Sequence, residues 1–240
     1  MERLDKLLCS QSTRTRSEAG RLIRSGRVLV DGRVCRKPEE KVDPAVCTVT
    51  VDGRPLDYQT HIYWMLNKPA GILCVSRDAK VATVVDLMPE EEKRRGLFPA
   101  GRLDKDTHGL VLLTDDGAFA HELLSPRHHV AKTYRAVLDR PLSPEAAAAF
   151  RAGPLLADGT KCLPAEVTVV EDGENPLVEV VIFEGKFHQI KRMFAAVGCT
   201  VIWLKRIAMG GLRLDESLPE GECRPLTETE KLSIFNEKSP

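Results

Sequence analysis

The stretch Gly101-Arg102-Leu103-Asp104-Lys105-Asp106-Thr107-His108-Gly109 constrains this chain most, because it runs without a break into Leu110-Val111-Leu112-Leu113-Thr114. Four consecutive aliphatic residues call for a buried strand, and the charged loop before them cannot be buried with it. A glycine-bounded polar loop that feeds a buried strand holds its side chains in place and leaves them open to a ligand. Asp104 is the candidate nucleophile. The same residues also fit a polar turn closed by one ion pair.

The flanking sequence supplies elements of both kinds. Leu4, Leu7 and Leu8 give a short helix over residues 3–8. Thr15-Arg16-Ser17-Glu18 has the capping-box pattern, Ala19, Leu22 and Ile23 follow as an apolar face, and Gly26 stands where a helix can stop. Val28-Leu29-Val30, Asp31-Gly32 and Arg33-Val34-Cys35 read as a hairpin. A further strand spans Val46 to Val51 before Asp52-Gly53, and the domain boundary is expected near residue 60, giving domains 1–60 and 61–240.

In the second domain, Ile62 to Leu66 reads as a buried strand stopped by Asn67-Lys68-Pro69-Ala70-Gly71. Residues 78–98 are a charged loop or helix, and Ala118 to Leu124 is a helix after the Asp115-Asp116-Gly117 turn. Lys132 to Leu138 alternates as a strand with Tyr134 and Ala136 on one face. A helix capped by Ser143-Pro144 runs to Phe150, and strands are expected at 165–170 and 177–183. Ile190, Met193, Phe194 and Val197 mark an amphipathic helix ending at Gly198, with Lys191 and Arg192 at its start. The helix macrodipole disfavours cations there, which points to anionic partners. Strands at 201–207 and 212–214 close the sheet, and Thr227 to Glu230 caps a last short helix. The fold class is α+β, with a mainly antiparallel mixed sheet flanked by helices in the second domain.

Charge separates the two parts. Residues 1–37 carry ten Lys/Arg against four Asp/Glu, a surplus of six in a chain whose net charge is zero. A basic end on a neutral protein fits a polyanion-binding appendage. Arg21 and Arg24 share a solvent face, with Arg16 at the helix start, and either Arg14 or Arg16 completes the patch. Surface arginines that only solvate a helix are the plainer explanation.

Several classes drop out. No uncharged run approaches the roughly 20 residues of a membrane helix, and the N-terminus lacks an apolar signal segment, so the expected location is cytoplasmic. The seven cysteines form no C-x-x-C pair, which argues against a disulfide framework or a zinc knuckle. His121, His128 and His129 lack metal-ligand spacing, so no metal is expected.

Two sets of motifs resemble known families. The basic helix, Leu22-Ile23-Arg24-Ser25-Gly26-Arg27-Val28 and Val30-Asp31-Gly32 resemble the S4 RNA-binding domain. The loop at 101–110, Lys132-Thr133-Tyr134, Glu184 to Phe194 and Leu66 to Gly71 together resemble the pseudouridine synthases, in the branch with an N-terminal S4 domain. Ser125 to His129, Lys191 to Gly198 and Arg224 to Glu228 look most like the members acting on 16S rRNA. The resemblance covers nearly the whole chain.

It implies a cofactor-free isomerisation of one uridine, expected at uridine 516, by a monomer acting on 16S rRNA or a small-subunit assembly intermediate. Asp104 would be the nucleophile, or the base that removes a sugar proton. Lys191 would be its cation, Tyr134 would stack on uracil and handle a proton, and Ile190 would pack beside the base. Arg102 would help hold the flipped nucleotide, while Asp106 shapes the loop. Tyr134 and Ile190 also fit ordinary core packing. Three alternatives stand beside this: a 23S rRNA synthase of the same branch, a non-catalytic ribosome-assembly protein, and a glycoside hydrolase pairing Asp104 with Asp106. Against the last, aromatic residues are only 5% of the chain, thin for a sugar cleft.

Overall fold

Both sequence signals for the first unit, the capping box and the Asp-Gly turn, act locally and fix its shape. In the computed structural model, which describes residues 1–125 and 127–236, Thr15 Oγ1 accepts from the Glu18 amide at 3.2 Å and the Glu18 carboxylate accepts from the Thr15 amide at 2.7 Å. Pro126 of the Ser125–His129 motif and residues 237–240 of the C-terminal segment lie outside the described residues.

The first unit runs β1 (Glu2–Arg3), α1 (Leu4–Ser10), α2 (Arg16–Arg24), β2 (Val28–Val30), β3 (Arg33–Cys35), β4 (Lys41–Val42), β5 (Val49–Val51) and β6 (Arg54–Pro55). Asp31 and Gly32 have φ of 49° and 77°, and Asp52 and Gly53 repeat the pair at 52° and 77°. Two successive left-handed residues match the right-handed twist of a hairpin. An antiparallel sheet of order β3-β2-β5-β6 results. Leu4, Leu7 and Leu8 of α1 and Ala19, Leu22 and Ile23 of α2 pack with Val28, Val30 and Val49 in one apolar core.

The chain divides into two compact units, Met1–Ile62 with Met88–Leu97, and Tyr63–Leu87 with everything from Phe98 on. A boundary near residue 60 would put residues 88–97 in the second domain. They pack instead with the first, where the Arg95 amide donates to the Ser12 carbonyl at 3.1 Å and Arg94 Nη1 to the Gln59 carbonyl at 2.8 Å. Of the expected loop or helix at 78–98, only the short 3-10 turn Glu90–Glu92 is helical.

The second unit contains β7 (Tyr63–Lys68), β8 (Phe98–Ala100), β9 (His108–Thr114), α3 (Gly117–Leu124), β10 (Lys132–Leu138), α4 (Pro144–Ala152), β11 (Glu166–Glu171) and β12 (Leu177–Ile182). Then follow α5 (Gln189–Ala196), β13 (Val201–Met209), β14 (Leu212–Arg213), β15 (Cys223–Pro225) and α6 (Glu228–Ser233). The strands form one nine-stranded sheet along the path β11-β12-β10-β13-β9-β7-β15, with β14 on β13 and β8 on β9. Its pairings among the described residues are antiparallel except β9 with β13, where His108 lies beside Lys205 and Gly109 beside Arg206. Met65, Leu110, Leu112 and Met209 build the core under α3, and Phe150 of α4 meets Phe194 of α5 at a ring distance of 4.7 Å. Strand β7 runs two residues past its expected end, to Lys68, and stops at Pro69.

Candidate active site

The loop between β8 and β9 is held from both ends and from beneath. Gly101 and Gly109 have φ of +90° and +101°, which L side chains rarely adopt. At Gly109 the need is also spatial, since a Cβ there would stand 2.2 Å from the Arg206 carbonyl oxygen. Glycine is what lets β9 approach β13. Beneath the loop, the buried Lys68 ammonium donates to the carbonyls of Pro69 (2.9 Å), Lys105 (3.1 Å) and Thr107 (2.8 Å). All three donors of an ammonium are thereby used, which makes its burial tolerable. Burial pulls the Lys68 pKa below the ordinary lysine value.

Above the loop lies a cavity of about 580 Å³. Arg102, Leu103 and Asp104 of the loop, Lys132 and Tyr134 of β10, residues 182–190 around the start of α5, and Arg206 of β13 line it. Four residues singled out from sequence, Arg102, Asp104, Tyr134 and Ile190, therefore line one cavity although the chain separates them widely. Tyr134 and Ile190 are buried and Arg102 is exposed. Asp104 is 28% exposed, open enough for a ligand to reach.

Lys191 sits at the edge of this arrangement. Its Nζ is 3.8 Å from Asp104 Oδ2 but 2.6 Å from Asp106 Oδ1. Where the family resemblance pairs Lys191 with Asp104, the closer partner is Asp106, whose carboxyl the Lys191 hydrogen bond holds below the usual carboxylate range. Asp106 is not on the cavity wall. Of the two carboxylates a hydrolase would use, only Asp104 therefore lines the cavity, and Asp106 is engaged by Lys191.

Three further side chains escaped the sequence reading. His188 adopts a left-handed conformation (φ 49°) at the start of α5, which brings Nε2 to 3.7 Å from Asp104 Oδ1. Phe187 beside it is 74% exposed and stacks on the His188 ring at 3.8 Å. Arg206 is buried in mid-strand, where alternation in Trp203-Leu204-Lys205-Arg206 gave no warning of it. The clearest signal in the sequence is for Lys68, a cation at the end of a strand whose first four residues are apolar or aromatic.

The first unit places its arginines at the surface. Arg14, Arg21 and Arg27 line a shallow depression of about 560 Å³ with Thr13, Glu18 and Ser25. Arg24 is exposed nearby, and its carbonyl accepts from Arg36 Nη1 at 3.0 Å. Arg16 is not on that depression, and its Nε faces Asp5 at 3.5 Å. Arg27 forks onto Asp52, with Nη2 at 2.6 Å from Oδ2.

Comparison with known proteins agrees with this architecture. Residues 62–196 match the RNA pseudouridylate synthase family, and residues 2–45 match the S4 domain. The chain belongs to the RNA pseudouridylate synthases. An uncharacterized RNA pseudouridine synthase of Bacillus subtilis is 45% identical over 98% of this chain and 98% of its own length. Ribosomal small subunit pseudouridine synthase A of Escherichia coli and that of Salmonella typhimurium are each 44% identical over 97% of this chain and 99% of theirs. A crystal structure of a pseudouridylate synthase superposes with a TM-score of 0.68 at 36% identity, covering 98% of this chain and 100% of the other. This pseudouridylate synthase thus couples an S4 domain to an α+β body whose sheet carries the cavity.

Proposed function

We propose that this pseudouridylate synthase converts one uridine of 16S rRNA, uridine 516, to pseudouridine, with Asp104 as the reacting carboxylate. The observation that carries the reading is the convergence of Asp104, Tyr134, Ile190 and Arg102 on one cavity, with Lys191 Nζ 3.8 Å from Asp104. The choice of small-subunit RNA rests on the 44% identity to ribosomal small subunit pseudouridine synthase A along nearly the full chain.

The reaction asks the site for four things. The target base leaves its stack, at a cost of a few kcal/mol, before any side chain can reach it. Exposed Arg102 engages a backbone phosphate and holds the opened strand. Tyr134 and Ile190 take the base between an aromatic face and an aliphatic one. Asp104 then acts at the sugar, either attacking C1′ or removing the C2′ proton, with the Lys191 ammonium 3.8 Å away as its neighbouring cation. On this reading the enzyme acts as a monomer, in the cytoplasm and without a cofactor, as the resemblance to the family implies. The S4 unit supplies phosphate contacts through Arg21 and Arg24, with Arg16 adjoining them.

The test is Asp104→Asn on a 16S rRNA fragment. Pseudouridine formation is abolished while RNA affinity stays at the wild-type level. A fully active variant would sink the assignment of Asp104.

A further inference from the structure

The floor of the cavity holds two cations that the proposed chemistry has not used. Arg206 is 1% exposed, and no carboxylate among the described residues pairs with it. Its Nε donates to the Leu110 carbonyl at 2.8 Å, while Nη2 is fully buried without a hydrogen-bond partner. Removing a guanidinium from water without a compensating partner costs several kcal/mol. Lys132 is also buried, and its Nζ donates to the Val130 carbonyl at 2.9 Å, one of the three bonds an ammonium can make. Desolvation, with Arg206 nearby adding to it, pushes the Lys132 pKa down to about 8.

The sheet register explains why these groups meet. Arg206 is the cross-strand partner of Tyr134, and Lys132 lies two residues from Tyr134 on the same face of β10. All three line the cavity with Asp104. The other carboxylate on the wall, Glu184, is engaged by Lys186 and by Gln189 Nε2 at 2.7 Å. The floor therefore presents donors and positive charge to whatever enters beyond Asp104.

We propose that Arg206 and Lys132 hold a carbonyl oxygen of the flipped uracil and carry its negative charge while the base is detached. The inference rests on the proposed function. A backbone phosphate is joined to sugars on both sides and stays at the mouth of the cavity, whereas the edge of a flat base reaches its floor. When N1–C1′ breaks, the bonding electron pair remains on the base, which becomes a uracil anion with charge shared over N1, O2 and O4. At the sugar, either an Asp104 oxygen bonds to C1′, or Asp104 takes the C2′ proton and a C1′=C2′ bond forms. Rejoining makes the C5–C1′ bond while the Asp104–C1′ bond breaks with its electron pair returning to the carboxylate, or while the C2′ proton returns from Asp104, and the C5 proton passes to N1. Donors fixed in place before reaction stabilise such an anion without reorganising.

The experiment compares wild type with Arg206→Met and Lys132→Met in single turnover on saturating 16S rRNA fragment. RNA affinity and thermal melting are measured alongside. Arg206→Met slows conversion by about 10²–10³-fold with affinity unchanged, the usual effect of removing one preorganised donor. The discriminating readout is leaving-group dependence, with the fragment carrying 5-fluorouridine at the target. Fluorine makes uracil the better leaving group, so the ratio of 5-fluorouridine to uridine consumption rises in both variants. A folded variant with wild-type rate, or one whose rates fall equally on both substrates, overturns the proposal. Should Arg206→Met lose its melting transition, Lys132→Met decides by the same criterion. Wild-type protein that forms no pseudouridine would overturn the proposed function instead.

Discussion

Replacing Gly109 by alanine tests whether the close parallel approach of β9 to β13 holds the loop bearing Asp104 in place. The new Cβ would stand 2.2 Å from the Arg206 carbonyl oxygen, 2.8 Å from Lys205 Cγ and 2.9 Å from the Arg206 nitrogen. An ordinary carbon–oxygen contact is about 3.3 Å, so the strands must part by roughly 1 Å. Backbone strain at φ +101° adds about 1–3 kcal/mol, and overpacking about as much again. The total, about 2–6 kcal/mol, is a large share of the roughly 5–15 kcal/mol that holds a domain folded. Both tryptophans, Trp64 and Trp203, lie in the second unit, so their fluorescence in urea reports on that unit. The midpoint falls by at least about 1 M. At native concentrations of urea, pseudouridine formation falls by about 10²-fold, since a displacement of 1 Å in a reacting group has that effect. A stability loss under about 1 kcal/mol with full activity would refute the argument, because the strands would then part freely.

Three further perturbations probe other links. Lys68→Met removes a donor from the Pro69, Lys105 and Thr107 carbonyls; Lys105 keeps the Gly71 amide, while the buried Thr107 carbonyl loses its Lys68 bond at a cost of about 1–3 kcal/mol. Hydrogen exchange at the Gly71 and Thr107 amides, which bond to Lys105 and Asp104, speeds up; unchanged exchange contradicts the clamp. Glu230, forked by Arg224 and also bonded by Thr227, has its pKa lowered to about 2. A depressed carboxylate stabilises the fold above its unfolded value near pH 4.3 and loses that contribution as pH falls towards 2. The stability gap between wild type and Glu230→Gln, about 2–3 kcal/mol at neutral pH, therefore narrows between pH 5 and pH 2; a gap independent of pH counts against the ion pair. Arg21→Glu with Arg24→Glu weakens binding to an rRNA fragment and flattens its salt dependence by about one unit of log–log slope per lost phosphate contact. Identical salt titrations would remove those arginines from the interface.

The legible parts of this chain are those where local chemistry decides. Capping at Thr15, the two Asp-Gly turns and the alternation that turns Tyr134 inward needed no tertiary context, and each element stands where sequence put it. Asp104 was legible as a charged residue between glycines before an apolar strand. The rest depends on long-range contacts that leave no local trace. Arg206 reads as one polar position in an alternating strand, and only the β9–β13 pairing shows that its side chain is buried at the cavity. Lys191 was assigned to Asp104 by motif, but the loop turns Asp106 towards it at a shorter distance. Residues 88–97 look in sequence like a connector within the body because their buried residues, Met88, Arg94 and Leu97, are spaced by charges, a proline and a glycine and not by any period.

The pairing of β9 with β13 also sets the order in which the molecule can become active during its own synthesis. Arg206 and its acceptor Leu110 are 96 residues apart, and contacts so distant along a chain form late. Ribosomes release the N-terminal module first, and domains tend to fold as they emerge. Until the chain is complete past residue 206, the loop bearing Asp104 has no strand to lean on and the cavity has no floor. A partly translated enzyme on the surface of RNA is therefore chemically silent, and translation itself times the first turnover.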